Sequence, residues 1–248
     1  MSGPGIAATV LLISISAAIA GAQEIPPATA LPVTLNAKLD SRNVVDGQPI
    51  TARIAQDVPL PSGGRIRAGS RVTGRVLQAG AKPGGRSYVR IRFDSVHANG
   101  RDIAILTSLR AVASPWEVQE AQLPKHGPIL GESPANWTTT QVGGDFVYRG
   151  GGHVMHDDTV VGDPVRDGVL AVLLAEPRAG CETASGDRRL ALWIFSSSAC
   201  GAYGFFGRLD IARAGNSSPV GEIVLESKKN VQVATGSALL LITVSSIQ

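Results

Sequence analysis

Charge is missing from the start of this chain: none of residues 1–22 is Asp, Glu, Lys or Arg. The stretch is apolar from Ile6 to Ala20 and closes on Ala20-Gly21-Ala22, small residues at the spacing a signal peptidase cleaves. We expect a signal peptide over 1–22 and a mature chain beginning at Gln23. No later apolar stretch approaches the roughly 20 residues that span a bilayer, so no transmembrane segment is expected after cleavage. The protein would then be periplasmic or secreted. Cysteine is almost absent as well. The two present, Cys181 and Cys200, are separated by 18 intervening residues. In an oxidising compartment they are expected to form a disulfide bond. A loop of that size is stabilised by roughly 3 kcal/mol in the chain-entropy model. Neither cysteine lies in a Cys-x-x-Cys or beside a histidine, which leaves no sequence case for a reactive or metal-bound thiolate.

Aromatic residues make up only 4% of the chain, which bears on its uneven charge. Residues 23–112 carry 13 Lys or Arg against 6 Asp or Glu, whereas residues 113–248 carry 10 against 14. A basic half might meet nucleic acid, but single-strand binders interleave aromatics for base stacking, and this half offers only Tyr88 and Phe93. The segment GGRIRAGSRVTGRV (63–76) is plainer: Arg65, Arg67, Arg71 and Arg75 are odd-numbered, and Ile66, Val72 and Val76 even. That is the alternation of a half-buried strand with arginine on its wet face. No nucleic-acid partner is expected. The chain also lacks a Gly-x-Ser-x-Gly elbow, a phosphate loop and any carboxylate pair that sequence alone would single out. We therefore expect no enzymatic activity, no catalytic residue and no cofactor.

Strands and turns dominate what is present. Residues 31–39 alternate (Leu31, Val33, Leu35, Ala37, Leu39), Asp46-Gly47 breaks the chain before 50–58, and PLPSGG and AGAKPGG separate the next strands. Asn99-Gly100 predicts a type I′ hairpin joining 91–96 to 103–109, because both central residues of that turn need positive φ. The fold class expected is mostly β: an antiparallel barrel or sandwich-like core, with a disulfide-containing insertion and a few short helices. The segments predicted are a linker over 23–30, the first part of the barrel over 31–112, a Gly-rich insertion over 113–215 and closing strands over 216–248.

On these residues the chain resembles a known family. The order LPVTLNAKL, DGQPITARIAQDV, GGRIRAGSRVTGRV and GGRSYVRIRFDSVHANGRDIAI is similar to the outer-membrane-proximal β-barrel domain of the TrbI-like scaffold proteins of conjugation and type IV secretion machines. VQVATGSALLLITV (231–244) resembles that family's closing hairpin. The resemblance implies a barrel and a cell-envelope location. It covers about ninety residues plus the tail. The family's membrane anchor, proline-rich spacer and apolar antenna helix have no counterpart here, and Ala68 stands where the family favours Pro before Gly-Ser.

The insertion has its own signals. Ser114-Pro115-Trp116-Glu117 is a capping box that predicts a short helix ended by Pro124. NWTTTQVGGDFVYR predicts a hairpin across Gly143-Gly144, and RLALWIFSSS (189–198) a buried strand leading to Cys200. RGGGHVMHDD places His153, His156, Asp157 and Asp158 within six residues. These are ligand types that suit one divalent metal, although His-x-x-His on a glycine-flanked loop matches neither a helical metalloprotease nor a finger. Trp116, Trp137 and Trp193 would serve as a sugar-stacking platform if two of them shared an exposed surface. The function expected is a non-enzymatic structural or protein-binding envelope module that partners another envelope protein or itself. The alternative is a metal-dependent or glycan-binding exported protein that uses the His153/His156 loop or the tryptophans.

Overall fold

The computed structural model describes residues 25–82, 84–124, 137–165, 168–174, 188–204 and 209–245, and strands form most of it. The first group is β1 (Ala30–Leu35), β2 (Leu39–Asp40), β3 (Pro49–Ile54), β4 (Val58–Pro59), β5 (Arg65–Ile66), β6 (Arg71–Ala81), β7 (Ser87–Ala98), β8 (Arg101–Ala104) and β9 (Thr107–Ala113). The helix α1 (Pro115–Glu120) follows. Next come β10 (Thr138–Thr140), β11 (Phe146–Tyr148), β12 (Val154–His156), β13 (Thr159–Val165), β14 (Gly168–Val172) and β15 (Arg189–Leu192). The chain ends with β16 (Gly201–Tyr203), β17 (Leu209–Arg213), β18 (Ile223–Ser227), β19 (Gln232–Val233) and β20 (Ala238–Thr243).

One large sheet runs β16-β9-β20-β1-β3-β6-β7-β18-β17, with β8 beside the far half of β7. It curls into a nearly closed barrel, and the Leu109 amide donates to the Ala214 carbonyl (2.7 Å) across the seam. Inward residues such as Leu31, Val33, Ile50, Ile66, Val72, Val76, Ile91 and Phe93 are fully or almost fully buried and form the barrel core. The arginine parity holds: Arg65, Arg67, Arg71 and Arg75 are exposed, and Ile66, Val72 and Val76 are buried. β7 is long enough to serve two neighbours, pairing Ser87–Ile91 with β18 and Ser95–Ala98 with β8. The β7–β8 turn has φ of 52° at Asn99 and 77° at Gly100, as a type I′ hairpin requires. Between β6 and β7 the register passes from Thr73↔Ser95 to Gly74↔Phe93, which leaves Asp94 as the extra residue of a bulge. There the backbones approach so closely that a Cβ on Gly74 would overlap the Arg92 carbonyl oxygen.

The inserted strands form a second sheet in simple sequential order, β10 through β15, antiparallel throughout. It lies against the outside of β1, β9 and β20. Val142, Val147, Val154, Val169, Leu192 and Phe195 meet Ala30, Ala111, Ala113, Ala238 and Leu240 in a second core. Ser114 caps the helix as expected, its Oγ accepting from the Glu117 amide (3.4 Å), but the reciprocal half of the capping box is replaced, the Ser114 amide donating to the Tyr203 carbonyl (3.1 Å); Pro115 opens α1, and the helix is over by Ala121, ahead of Pro124.

Several boundaries differ from expectation, each because tertiary pairing overrides local pattern. β1 stops at Leu35, since Leu39 leaves to join β2 in a separate two-stranded ribbon with β19. The closing segment is therefore no hairpin: β19 pairs with β2, and β20 fills the gap between β1 and β9. β8 ends at Ala104, and β9 breaks away from β7 altogether. β15 is only four residues long. The strands at 201–213, placed in the insertion by sequence, belong to the barrel sheet, and β16 lies parallel to β9.

Two expectations follow. Gly74→Ala should destabilise the protein by about 3 kcal/mol, the upper range for forcing extra atoms into a packed region, whereas alanine at a nearby exposed strand site should not; chemical denaturation reads both. At the ribbon, Asp40 accepts from Arg42 Nε (3.1 Å), Arg42 Nη2 (2.9 Å) and Gln232 Nε2 (3.3 Å), with Lys38 Nζ at 2.9 Å. Arg42 first, then Lys38, hold its carboxyl well below the usual carboxylate range. A lowered folded value means stability that is present above the unfolded value and lost as pH falls through the folded one. Melting temperatures of wild type and Asp40→Asn should differ most near neutral pH and converge progressively below about pH 4.

Candidate functional site

The four candidate metal ligands lie at the β12–β13 hairpin. Asp157 (φ 50°) and Asp158 form its turn, and the Asp157 side chain is 92% exposed. His153 and His156 are directed to different carboxylates. His153 Nδ1 lies 2.9 Å from Asp163 Oδ1, and His156 Nδ1 lies 2.7 Å from Asp145 Oδ1. Arg189, then His153, hold the Asp163 carboxyl below its usual range. Three positions apart on an extended chain, the imidazoles fall on opposite sides, which is why proximity in sequence does not become convergence. Among the described residues no three of His, Cys, Asp or Glu are grouped to hold a metal ion. The neighbouring glycines have another role: a Cβ at Gly150 or Gly152 would come within 2.8 Å of the Tyr148 ring, so the loop passes directly over that ring.

The residue sequence did not reveal is Asp145. It is fully buried, and its Oδ2 accepts from the Ser197 amide (2.7 Å) and Ser197 Oγ (2.8 Å). Its Oδ1 faces His156, so His156 Nδ1 carries the proton and Nε2 is left toward solvent, 3.9 Å from Asp157 Oδ2. Ser197 bonds the carboxylate rather than the imidazole, so this is no Ser-His-Asp relay. The chemistry open to it is a single oriented imidazole. Nothing local in sequence connects Asp145 to Ser197, 52 positions away.

A buried cation acts on the same loop. β9 pairs Leu109 with Leu241 and Ala111 with Leu240, leaving Arg110 as the extra residue of a bulge. Its side chain is 7% exposed. Nε donates to Ala199 O (3.1 Å), and Nη2 donates to Leu174 O (3.3 Å) and makes a long contact with Ser197 O (3.5 Å). Burial pushes its pKa below the usual arginine value. Among the described residues it has no carboxylate partner. Cys200, at the end of this loop, is buried, and no cysteine among the described residues is free; Cys181 lies outside the described residues, as do residues 1–22.

The tryptophans are dispersed. Trp116 on α1 is 54% exposed, Trp193 is half-buried with Arg149 stacked 3.9 Å from its ring, and Trp137 Nε1 is shut off from solvent. The exposed apolar surface lies elsewhere. On the outer face of the second sheet the register sets Phe146 opposite Met155 and Met155 opposite Val160, one row across β11, β12 and β13. Phe146 is 45% and Val160 51% exposed, and Tyr148 stands beside the row. The barrel's outer face is basic: Arg53 is directly opposite Arg71, and Arg75 opposite Arg92, the latter two sharing Asp94. No described helix is long and apolar enough to cross a membrane, which leaves strands unaddressed.

Comparison with known proteins returned no match to a family model, to a curated protein or to a solved structure.

Asp145→Ala would strand the Ser197 N–H in a dry interior, and we expect a loss of about 3 kcal/mol, the upper end for an unsatisfied buried group. His156→Ala, whose ring is partly exposed, should lose clearly less. Denaturant unfolding of the two variants checks the order.

Proposed function

We propose that this protein is an exported bacterial envelope protein acting as a non-enzymatic, protein-binding β-barrel module. The observation that carries the reading is the Phe146–Met155–Val160 row. Alternation along strands normally puts polar residues on a sheet's solvent face, yet here an aromatic, a methionine and a valine stand in register there, with Tyr148 beside them. Aromatics and methionine are the residues enriched where proteins meet proteins. The barrel behind the inserted sheet gives it a rigid backing.

Export, periplasmic or secreted location, a cleaved leader and a Cys181–Cys200 bridge belong to the same proposal, supported by the charge-free apolar N-terminus and the two lone cysteines. The likeness to TrbI-like scaffold domains supports an envelope partner or self-association. Two measurements test the proposal. The intact mass of the exported protein should lack residues 1–22 and show two oxidised thiols. A photocrosslinking side chain at Phe146 or Val160 should capture one specific envelope protein, or a second copy, in living cells, while the same probe at exposed Ala104 should not. Identical adducts from all three sites, or stoichiometric metal lost on changing His153 and His156 to Ala, would contradict it.

A further inference from the structure

The outward face of β3, β6 and β7 carries arginines at both ends of a patch of hydroxyls. Arg53 stands directly opposite Arg71, and Arg75 opposite Arg92. Between these pairs Thr51 lies opposite Thr73 and Thr73 opposite Ser95, the last two hydroxyls 2.7 Å apart. Arg67 borders the patch in the turn before β6, where the Gly69 amide donates to the Ile54 carbonyl (2.8 Å). One carboxylate, Asp94, serves both Arg75 (3.6 Å) and Arg92 (2.8 Å). Arg53 reaches only the neutral carbonyl of Gly69 (3.3 Å). Arg67 and Arg71, both exposed, have no partner among the described residues. The acids at the margins are already engaged, Asp57 by Arg65 (3.3 Å) and Glu222 by Arg90 (3.3 Å) and Arg213 (3.9 Å). Like charges set directly opposite each other across a ladder destabilise it, so the fold itself gains nothing from this arrangement.

We propose that this face docks on the phosphates of an anionic lipid surface. Guanidinium forks take phosphate oxygens two at a time, and the hydroxyls between them are further donors to the same groups. The two arginine pairs are four residues apart along β6, about 13 Å at the rise of an extended strand, so each can meet its own headgroup. A polymer suits the face less well. No aromatic side chain stands among these outward positions to stack a base or a sugar. The face is also the convex outside of a barrel wall, not a groove that would hold a chain. A plane of phosphates needs no groove, and docking of this kind needs no membrane-spanning segment. The patch lies on the barrel and the Phe146 row on the second sheet, so either reading can fail without the other.

Flotation of the purified protein with vesicles tests the proposal. The protein should float with phosphatidylcholine vesicles containing about one third phosphatidylglycerol and not with phosphatidylcholine alone, since each arginine at such a surface multiplies the partition coefficient roughly fivefold. Binding should be largely lost between about 0.1 M and about 1 M salt, as the screening length falls from about 10 Å to about 3 Å. Arg53→Gln with Arg71→Gln should weaken it about 25-fold. Both side chains are exposed and repel each other, so this variant should melt no lower than wild type. Lys228→Gln with Lys229→Gln removes the same charge from exposed sites after β18, beyond the other end of β6, and should change binding less than about twofold. Equal flotation with neutral vesicles, or equal losses in the two double variants, would overturn the proposal. So would tighter binding to heparin or single-stranded DNA than to the anionic vesicles at the same salt, lost with the same two arginines, which would give the face to a polymer.

Discussion

Three adjacent strands, β9, β20 and β1, are buried on both faces, and the rest of the molecule is arranged around that fact. Their inward side chains, Leu31, Val33, Leu109, Leu239 and Leu241, belong to the barrel core. The outward ones, Ala30, Ala111, Ala113, Ala238 and Leu240, belong to the second core. Four of those five are alanines, so the inserted sheet can approach closely while its own Val, Leu and Phe side chains fill the gap. Each large residue at such a position is worth about 3 kcal/mol against alanine. A barrel without the insertion would expose this apolar patch, and an insertion without the barrel would expose its entire inner face. The two sheets are interdependent by construction.

Two charged groups caught at this junction, Asp145 and Arg110, converge on one loop. Asp145 takes the amide and hydroxyl of Ser197, while Arg110 takes the carbonyls of Ala199 and Leu174 and reaches toward that of Ser197. A carboxylate from the insertion and a guanidinium from the barrel thus grip the same chain segment from its two chemical ends. Buried charges seldom raise stability over apolar substitutes, but they tolerate few alternative arrangements. Here they fix how the 196–199 loop, and with it Cys200, docks on β9. The bulge at Arg110 makes this possible, because the extra residue leaves the ladder and can turn its side chain toward the loop.

What sequence revealed and what it hid divide along the same line. Strands with one wet face, such as β6 with its odd arginines and even valines, were legible because alternation survives. So were the Asn99-Gly100 turn, the Ser114 cap and the Gly143-Gly144 hairpin, where local chemistry alone decides the conformation. The doubly buried strands carry no alternation: ALLLIT in β20 is apolar up to its final threonine and holds no clue to its neighbours, so its insertion between β1 and β9 was not foreseen. The same holds for the departure of β9 from β8. At the candidate site, the four ligand types were visible as neighbours in sequence, but the strand period sent the imidazoles apart. The groups that do converge, Asp145, His156, Ser197 and Arg110, come from separate strands and loops, and only the packing of the two sheets brings them together.

The central claim is that barrel and insertion form one cooperative unit locked at β9. Native-state hydrogen exchange across a denaturant series, followed by mass spectrometry on peptides from β13–β14 and from β20, tests it most directly. The account predicts that both sets of amides open in a single step with a common free energy, and that Arg110→Ala lowers both by the same amount. Insertion peptides that exchange at low denaturant while β20 stays protected, or an Arg110→Ala effect confined to one sheet, would contradict it.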